Sequence, residues 1–247
     1  MEAYSDFAYV YDTFMETAPY EKWADYIVSL FNAYGKDISS VADLGCGTGK
    51  LTMLLSKMGY EMTGVDSSVD MLSVAADRSI EEGSNITYIH QDMTELNLLS
   101  EMDAIISTCD CVNYLILDED VVSCFKCVYE NLRRDGIFIF DFNTIYKYET
   151  VIGDTTIAES REDCSFIWEN FYDTEGHINE YDVTFFVREK DDLYRRFDET
   201  HIQRGYDLDE IKRFVTESGL KFITAIDEVT HKEPTAESER IYIVARK

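Results

Sequence analysis

No apolar run in this 247-residue chain approaches the ~20 residues of a membrane-spanning helix, and no signal-peptide pattern opens it. These absences set the expectation of a cytoplasmic protein with no membrane partner. Positive charge is scarce: 22 Lys and Arg stand against 49 Asp and Glu, a formal net charge of −27. A polyanion is bound largely through Lys and Arg contacts to phosphate, and a surface of this sign repels one at long range. Arg133-Arg134 and Arg195-Arg196 are local pairs and form no basic stripe. Nucleic acid is therefore not an expected partner, and a small molecule or a protein is. The six cysteines, at 46, 109, 111, 124, 127 and 164, follow no disulfide-framework spacing and read as reduced thiols. Cys124 and Cys127 make a C-x-x-C pair in a helix-like segment, but no second ligand pair accompanies them, which favours buried packing over zinc. The histidines, at 90, 177, 201 and 231, lack ligand spacing as well, so no metal centre is expected. Internal repeats and low-complexity segments are missing too.

What is present is an alternation of strands and helices. Tyr20 to Tyr34 carries Trp23, Ile27, Leu30 and Phe31 at helical spacing. Strands are predicted over about 40–44, 62–65, 86–90, 104–107 and 137–140, with helices over about 49–57, from Ser67 or Ser68 through Arg78, and over 118–133. Ile137-Phe138-Ile139-Phe140 is continuously apolar, as expected of a strand covered on both faces. From about Thr155 to Arg204 the periodicity becomes two, which predicts a small antiparallel insertion with a turn at 173–176. Asp207 and Glu210 then have capping-box spacing before a helix that Gly219 ends, and strands over 222–226 and 241–245 close the chain. The alternation predicts a doubly wound parallel sheet.

The most informative stretch is Val41-Ala42-Asp43-Leu44-Gly45-Cys46-Gly47-Thr48-Gly49-Lys50, followed by a second strand that ends in Gly64-Val65-Asp66. A strand runs into a tight glycine turn whose backbone a ligand can approach closely, and the next helix presents its N–H groups there. An acid at the neighbouring strand tip is placed to accept from ribose hydroxyls. The glycine register is not that of a dinucleotide fingerprint, because Lys50 stands where its third glycine belongs. A P-loop is excluded because Leu51, not Ser or Thr, follows Gly49-Lys50.

Asp43-x-Gly45-x-Gly47-x-Gly49 resembles motif I of the class I S-adenosylmethionine (SAM) methyltransferases, and the layout is similar over essentially residues 40–247. The lead Tyr4-x-x-Phe7-Ala8-x-x-Tyr11-Asp12 is similar to small bacterial members whose aromatic lead folds over the cofactor. The resemblance implies an α/β fold: a doubly wound, seven-stranded, mostly parallel sheet with its last strand antiparallel. Residues 1–150 and 205–247 would form the SAM-binding unit, and 151–204 an antiparallel insertion on the acceptor side. It implies SAM as cofactor. Gly45, Cys46 and Gly47 would hold the methionine end, Asp43 would face its ammonium, Asp66 would take the ribose, and Ser67 would be among the cofactor-binding residues. Met71 would pack on the adenine, Gln91, Asp92 and Met93 would meet its edge, and Cys109 and Asp110 would contact the methionine moiety. Tyr11 and Trp23 would cover the cofactor.

A sulfonium is already activated, so the protein need only align an acceptor with the S–CH₃ bond and, for an amine, hydroxyl or thiol, remove a proton. Asp110, Tyr114, His177 and His201 are the candidate bases, with Asp110, Tyr114 and His201 foremost. Tyr146, Arg204 and Tyr206 flank the insertion's junctions and are expected at the pocket mouth. A small-molecule acceptor is expected. A non-catalytic or non-methylating SAM protein, a protein or RNA acceptor, and a nicotinamide oxidoreductase with an atypical glycine register are the competing readings.

Overall fold

The computed structural model describes residues 8–190 and 193–247. Tyr4 and Phe7 of the aromatic lead lie outside the described residues. Two helices, α1 (Ala8–Phe14) and α2 (Tyr20–Tyr34), precede an alternation of β1 (Ser40–Leu44), α3 (Lys50–Lys57), β2 (Glu61–Asp66), α4 (Val69–Glu81), β3 (Thr87–His90), β4 (Met102–Ser107), α5 (Asp118–Asn131) and β5 (Leu132–Asn143). Strands β6 (Thr156–Ser160), β7 (Cys164–Asp173), β8 (Ile178–Lys190) and β9 (Leu193–Arg204) form a separate four-stranded antiparallel sheet. Helix α6 (Leu208–Glu217) and strands β10 (Lys221–Asp227) and β11 (Arg240–Arg246) return to the main sheet.

The main sheet has seven strands in the order β10-β11-β5-β4-β1-β2-β3. Strands β1 to β5 are mutually parallel, and β11 inserts antiparallel between β5 and β10. The expected α/β architecture, with its last strand antiparallel, is therefore present. Alternation along the central strands explains their unbroken apolar character. Phe138, Phe140 and Phe142 of β5 pack on one face with Val121, Phe125 and Val128 of α5 and Phe214 of α6. Ile137 and Ile139 point to the other face and pack with Ile27, Leu30 and Phe31 of α2 and Leu55 of α3. A third cluster joins Ala8 of α1 and Met71 of α4 to Tyr181, Val183 and Phe185 of the antiparallel sheet.

The local signals act as read. Ser68, not Ser67, caps α4, accepting from the Met71 N–H at 3.2 Å. Asp207 and Glu210 form a reciprocal capping box on α6. Strand β5 is longer than its apolar core: it begins at Leu132, where α5 was expected to continue, and runs to Asn143. A π-helical turn at Lys147–Ile152 and strand β6 had no distinct signal. Among the described residues no helix is long and apolar enough to cross a membrane. Because β1 to β5 run the same way, their carboxyl ends gather at one edge, the place where open α/β sheets bind ligands.

Candidate cofactor and acceptor site

The turn after β1 is built from left-handed backbone. Gly45 has φ 74°, and a Cβ there would lie 2.4 Å from the Cys111 sulfur, so this position needs glycine for both conformation and space. At Gly47, φ 53°, a Cβ would meet nothing within 4 Å: the loop faces open space there. The N–H groups of Gly45 and Cys46 donate to the Val65 carbonyl at 2.8 and 3.1 Å, tying the turn to β2.

Two carboxylates end the strands on either side of this turn. Asp66, at the tip of β2, accepts from the Gly47 N–H and the Ser68 N–H, each at 2.8 Å, and burial raises its pKa. Asp43, at the end of β1, is 2% exposed and accepts from the Thr52 hydroxyl at 2.6 Å. Burial pushes its pKa up to about 6, with the Asp66 charge adding to the rise. A buried carboxylate whose one side-chain donor is a hydroxyl suits a cationic partner, and an ammonium fits that donor set.

Asp43 has a consequence for stability. Its folded pKa lies above its unfolded value, so the folded state holds the extra proton and stability falls as pH rises from about 4 to about 6. Asp43→Asn removes this penalty. The variant is expected to gain about 1–3 kcal/mol in urea unfolding at pH 8, with the gain vanishing below about pH 4. An equal or smaller stability at pH 8 would reject this account.

The remaining cofactor candidates divide. Ser67 is held through its carbonyl, 2.9 Å from Nε2 of His90, a contact the sequence did not flag. Met71 is buried in the third cluster with Ala8 and Tyr181. Asp92 caps the short turn after β3, accepting from the Thr94 N–H and hydroxyl at 2.8 and 2.7 Å. Gln91 pairs with the Asn97 backbone, and Met93 packs against the core. On the near side Asp12 bridges Thr48, Lys50 and Arg78, fastening α1 to the glycine turn. Its neighbour Tyr11 is hydrogen-bonded to Tyr20, whose ring meets Trp23 edge-on at 5.0 Å.

Beyond β4 the backbone is left-handed at Cys109 and Asp110, φ 60° and 55°. Both N–H groups donate to the buried Asp141 of β5, at 3.2 and 2.8 Å. Burial raises the Asp141 pKa, while Arg240 of β11 and the Asp110 N–H pull it back. Arg240 forks between Asp141 at 3.0 Å and Asp110 at 2.5 Å. The second Asp110 oxygen accepts from Gln203 of β9 at 2.8 Å. Gln203 accepts from Tyr148 at 2.7 Å, Tyr148 from Asn143 at 2.9 Å, and Asn143 from Lys147 at 2.9 Å. Asp110 is thus engaged at both oxygens. Burial also keeps the Cys46, Cys109 and Cys111 thiols protonated by raising their pKa values.

Tyr114 and His201 do come together: the Tyr114 hydroxyl lies 3.1 Å from His201 Nδ1. His177 instead sits in the β7–β8 turn, its Nδ1 3.1 Å from the Tyr172 hydroxyl. The expected pocket mouth is only partly supported. Tyr146 is half-buried at the junction. Arg204 is committed to Asp118 and Glu210, at 2.6 and 2.7 Å, and Tyr206 is fully buried with its hydroxyl donating to the Leu115 carbonyl. Tyr206 is therefore a core residue, because its ring fills the space against Phe214. Asp141, Arg240, Gln203 and Glu199 contact the candidate residues Asp110 and His201 or their loop, and the sequence did not flag them. Of these only Asp141 left a trace, a charge inside the apolar run Ile137 to Phe142. Among the described residues no group of three or more potential ligands could hold a metal ion.

Comparison with known proteins bears on the family and the fold. The methyltransferase-domain family matches residues 41–136. A Geobacillus protein and YqeM of Bacillus subtilis, both carrying the general name methyltransferase, are each 36% identical over 245 residues. The aligned region spans 99% of this chain in both cases, and 99% and 97% of theirs. The crystal structure of an S-adenosylmethionine-dependent methyltransferase from Clostridium acetobutylicum superposes with a TM-score of 0.89 at 30% identity, covering 98% of each chain. With its sheet order, its glycine turn and full-length likeness to these proteins, the chain belongs to the class I S-adenosylmethionine-dependent methyltransferases.

Proposed function

We propose that the chain binds SAM across the carboxyl edge of the main sheet and transfers its methyl group to a small-molecule acceptor. In this reading residues 1–150 and 205–247 serve the cofactor, and the antiparallel sheet within 151–204 walls the acceptor. The observation that carries the reading is the buried Asp43 at the end of β1 and the half-buried Asp66 at the tip of β2, beside a glycine turn that faces open space at Gly47.

When bound, SAM supplies a methyl group on an electrophilic sulfonium. The chain's part is placement. The Gly45–Gly47 backbone and Asp43 grip the amino-acid end, and Asp66 accepts from the sugar. Tyr11, Tyr20 and Trp23, fastened over the glycine turn through Asp12, keep water out. Asp110, held by Arg240 and Gln203, fixes the loop that faces the acceptor. Alignment of this kind supplies ~7–11 kcal/mol of a methyl-transfer barrier. A net charge of −27 supports a neutral or cationic small acceptor over a nucleic acid.

The test is a metabolite screen with isotopically labelled SAM, reading product masses. Labelled small molecules are the expected result. Tight SAM binding with no labelled product would point to a role other than methyl transfer, and failure to bind SAM or its demethylated product SAH would remove the reading.

A further inference from the structure

Strand β9 turns three polar side chains inward. Glu199, His201 and Gln203 occupy alternate positions, opposite Val183, Tyr181 and Asn179 of β8, so all three share one face. Gln203 is accounted for by Asp110. Glu199 and His201 pair with each other, and their side chains are only 7% and 4% exposed. Histidine Nε2 lies 3.5 Å from Glu199 Oε2, and Nδ1 lies 3.1 Å from the Tyr114 hydroxyl. The imidazole stacks on Tyr181 at 4.9 Å and 20°, and the Tyr181 hydroxyl lies 3.1 Å from that of Tyr114. A carboxylate opposite Nε2 holds the ring proton there and leaves Nδ1 to accept.

Position ties this cluster to the reacting centre. Tyr114 ends the 3₁₀ turn that starts at Cys111, whose thiol donates to the Gly45 carbonyl at 3.5 Å. At about 2 Å rise per residue, Tyr114 stands roughly 6 Å along that turn from Cys111. It is half-buried, whereas His201 behind it is buried.

We propose that Tyr114, His201 and Glu199 form a proton relay for the acceptor, and that the acceptor is an amine or hydroxyl that loses a proton on methylation. The proposal rests on the methyl-transfer reading above. As the acceptor's nitrogen or oxygen bonds to the methyl carbon, the C–S electron pair returns to sulfur. The acceptor's proton passes to the Tyr114 oxygen, and the phenolic proton passes to His201 Nδ1. The resulting imidazolium faces the Glu199 carboxylate and later releases its proton to solvent. Tyr114 is the catalytic residue, and His201 and Glu199 are positioning residues. Asp110 is not suited to the task, since both its oxygens accept from Arg240 and Gln203. The ionisable groups facing His201 include Tyr114 from the turn after β4, Tyr181 from β8 and Glu199 from its own strand. Asp110 and Cys111 lie next, near Tyr181.

The test has two arms. Multiple-bond ¹H–¹⁵N NMR of the full chain with SAH bound reads the His201 tautomer. The neutral ring is expected to carry its proton on Nε2, and Glu199→Gln is expected to weaken that preference so that the Nδ1–H tautomer becomes detectable. A proton on Nδ1 in the unmodified chain, or an unchanged tautomer ratio in Glu199→Gln, overturns the relay. Glu199→Asp serves if Glu199→Gln does not fold. In the second arm, Tyr114→Phe is expected to keep SAH affinity within twofold. It should cut transfer from labelled SAM into the small-molecule fraction of a bacterial extract by about 10²-fold, with the loss shrinking above pH 9. Transfer within threefold of the unmodified chain at pH 7 overturns the proposal. If the unmodified chain labels nothing, the methyl-transfer reading fails, and the NMR arm still decides the relay geometry.

Discussion

Exchanging Arg240 for methionine lowers the unfolding free energy by about 3–5 kcal/mol at pH 8. The guanidinium contacts Asp141, whose side chain is 1% exposed, and Asp110, whose side chain is 22% exposed. Removing it leaves two carboxylates close together at the carboxyl edge, one of them without water. Breaking a buried pair costs more than the pair contributes, because the surviving charge stays desolvated. The sign of the pH dependence follows. Burial already raises the Asp141 pKa against the pull of Arg240, and without that pull it rises further. The variant's folded state then holds a proton that the unfolded chain has lost, so its deficit grows as pH rises from 5 to 8. Urea unfolding at the two pH values measures this, and a deficit below about 1 kcal/mol at pH 8 would show the pair to be structurally idle. Arg240→Lys restores only part of the loss, since a point charge cannot span both carboxylates as the planar fork does.

Replacing Asp66 with alanine weakens SAH binding at least tenfold, and about 10²-fold or more if both ribose contacts are lost. Charge-assisted hydrogen bonds are worth about 1.5–3 kcal/mol each. Asp66 has a second task, because its carboxylate also holds the Gly47 and Ser68 N–H groups. The two tasks separate in a double cycle. SAH and its 2′-deoxy analogue should differ in affinity for the unmodified chain and bind Asp66→Ala about equally. Calorimetry reads all four values. Unchanged SAH affinity in the variant would show that the sugar is held elsewhere.

The two experiments probe parts of the site that differ in how far the sequence exposed them. Asp66 was legible because it ends a short strand next to the glycine turn, and neighbouring parallel strand tips are brought together by the sheet itself. The apolar run of β5 was legible because each face of a central strand meets a helix layer. Arg240 was not legible. It lies 99 positions from Asp141 and 130 from Asp110, after a stretch with no apolar period. Nor was the commitment of Asp110, which a sequence reading can place at the edge but cannot see paired. Tyr206 looked like a junction residue and proved to be core, because chain position says nothing about which way a ring turns.

By itself the sequence determined the layered α/β fold, the glycine turn and the acid tips, since these depend on backbone freedom, alternation and contacts between adjacent elements. Only the tertiary structure decided what stands behind Asp110 and Tyr114. Strand β11 wedged antiparallel beside β5 delivers Arg240, and the folded-back strand β9 delivers Glu199, His201 and Gln203. Those placements follow from how whole sheets pack, because a buried charge is stable only where a partner from another part of the chain satisfies it.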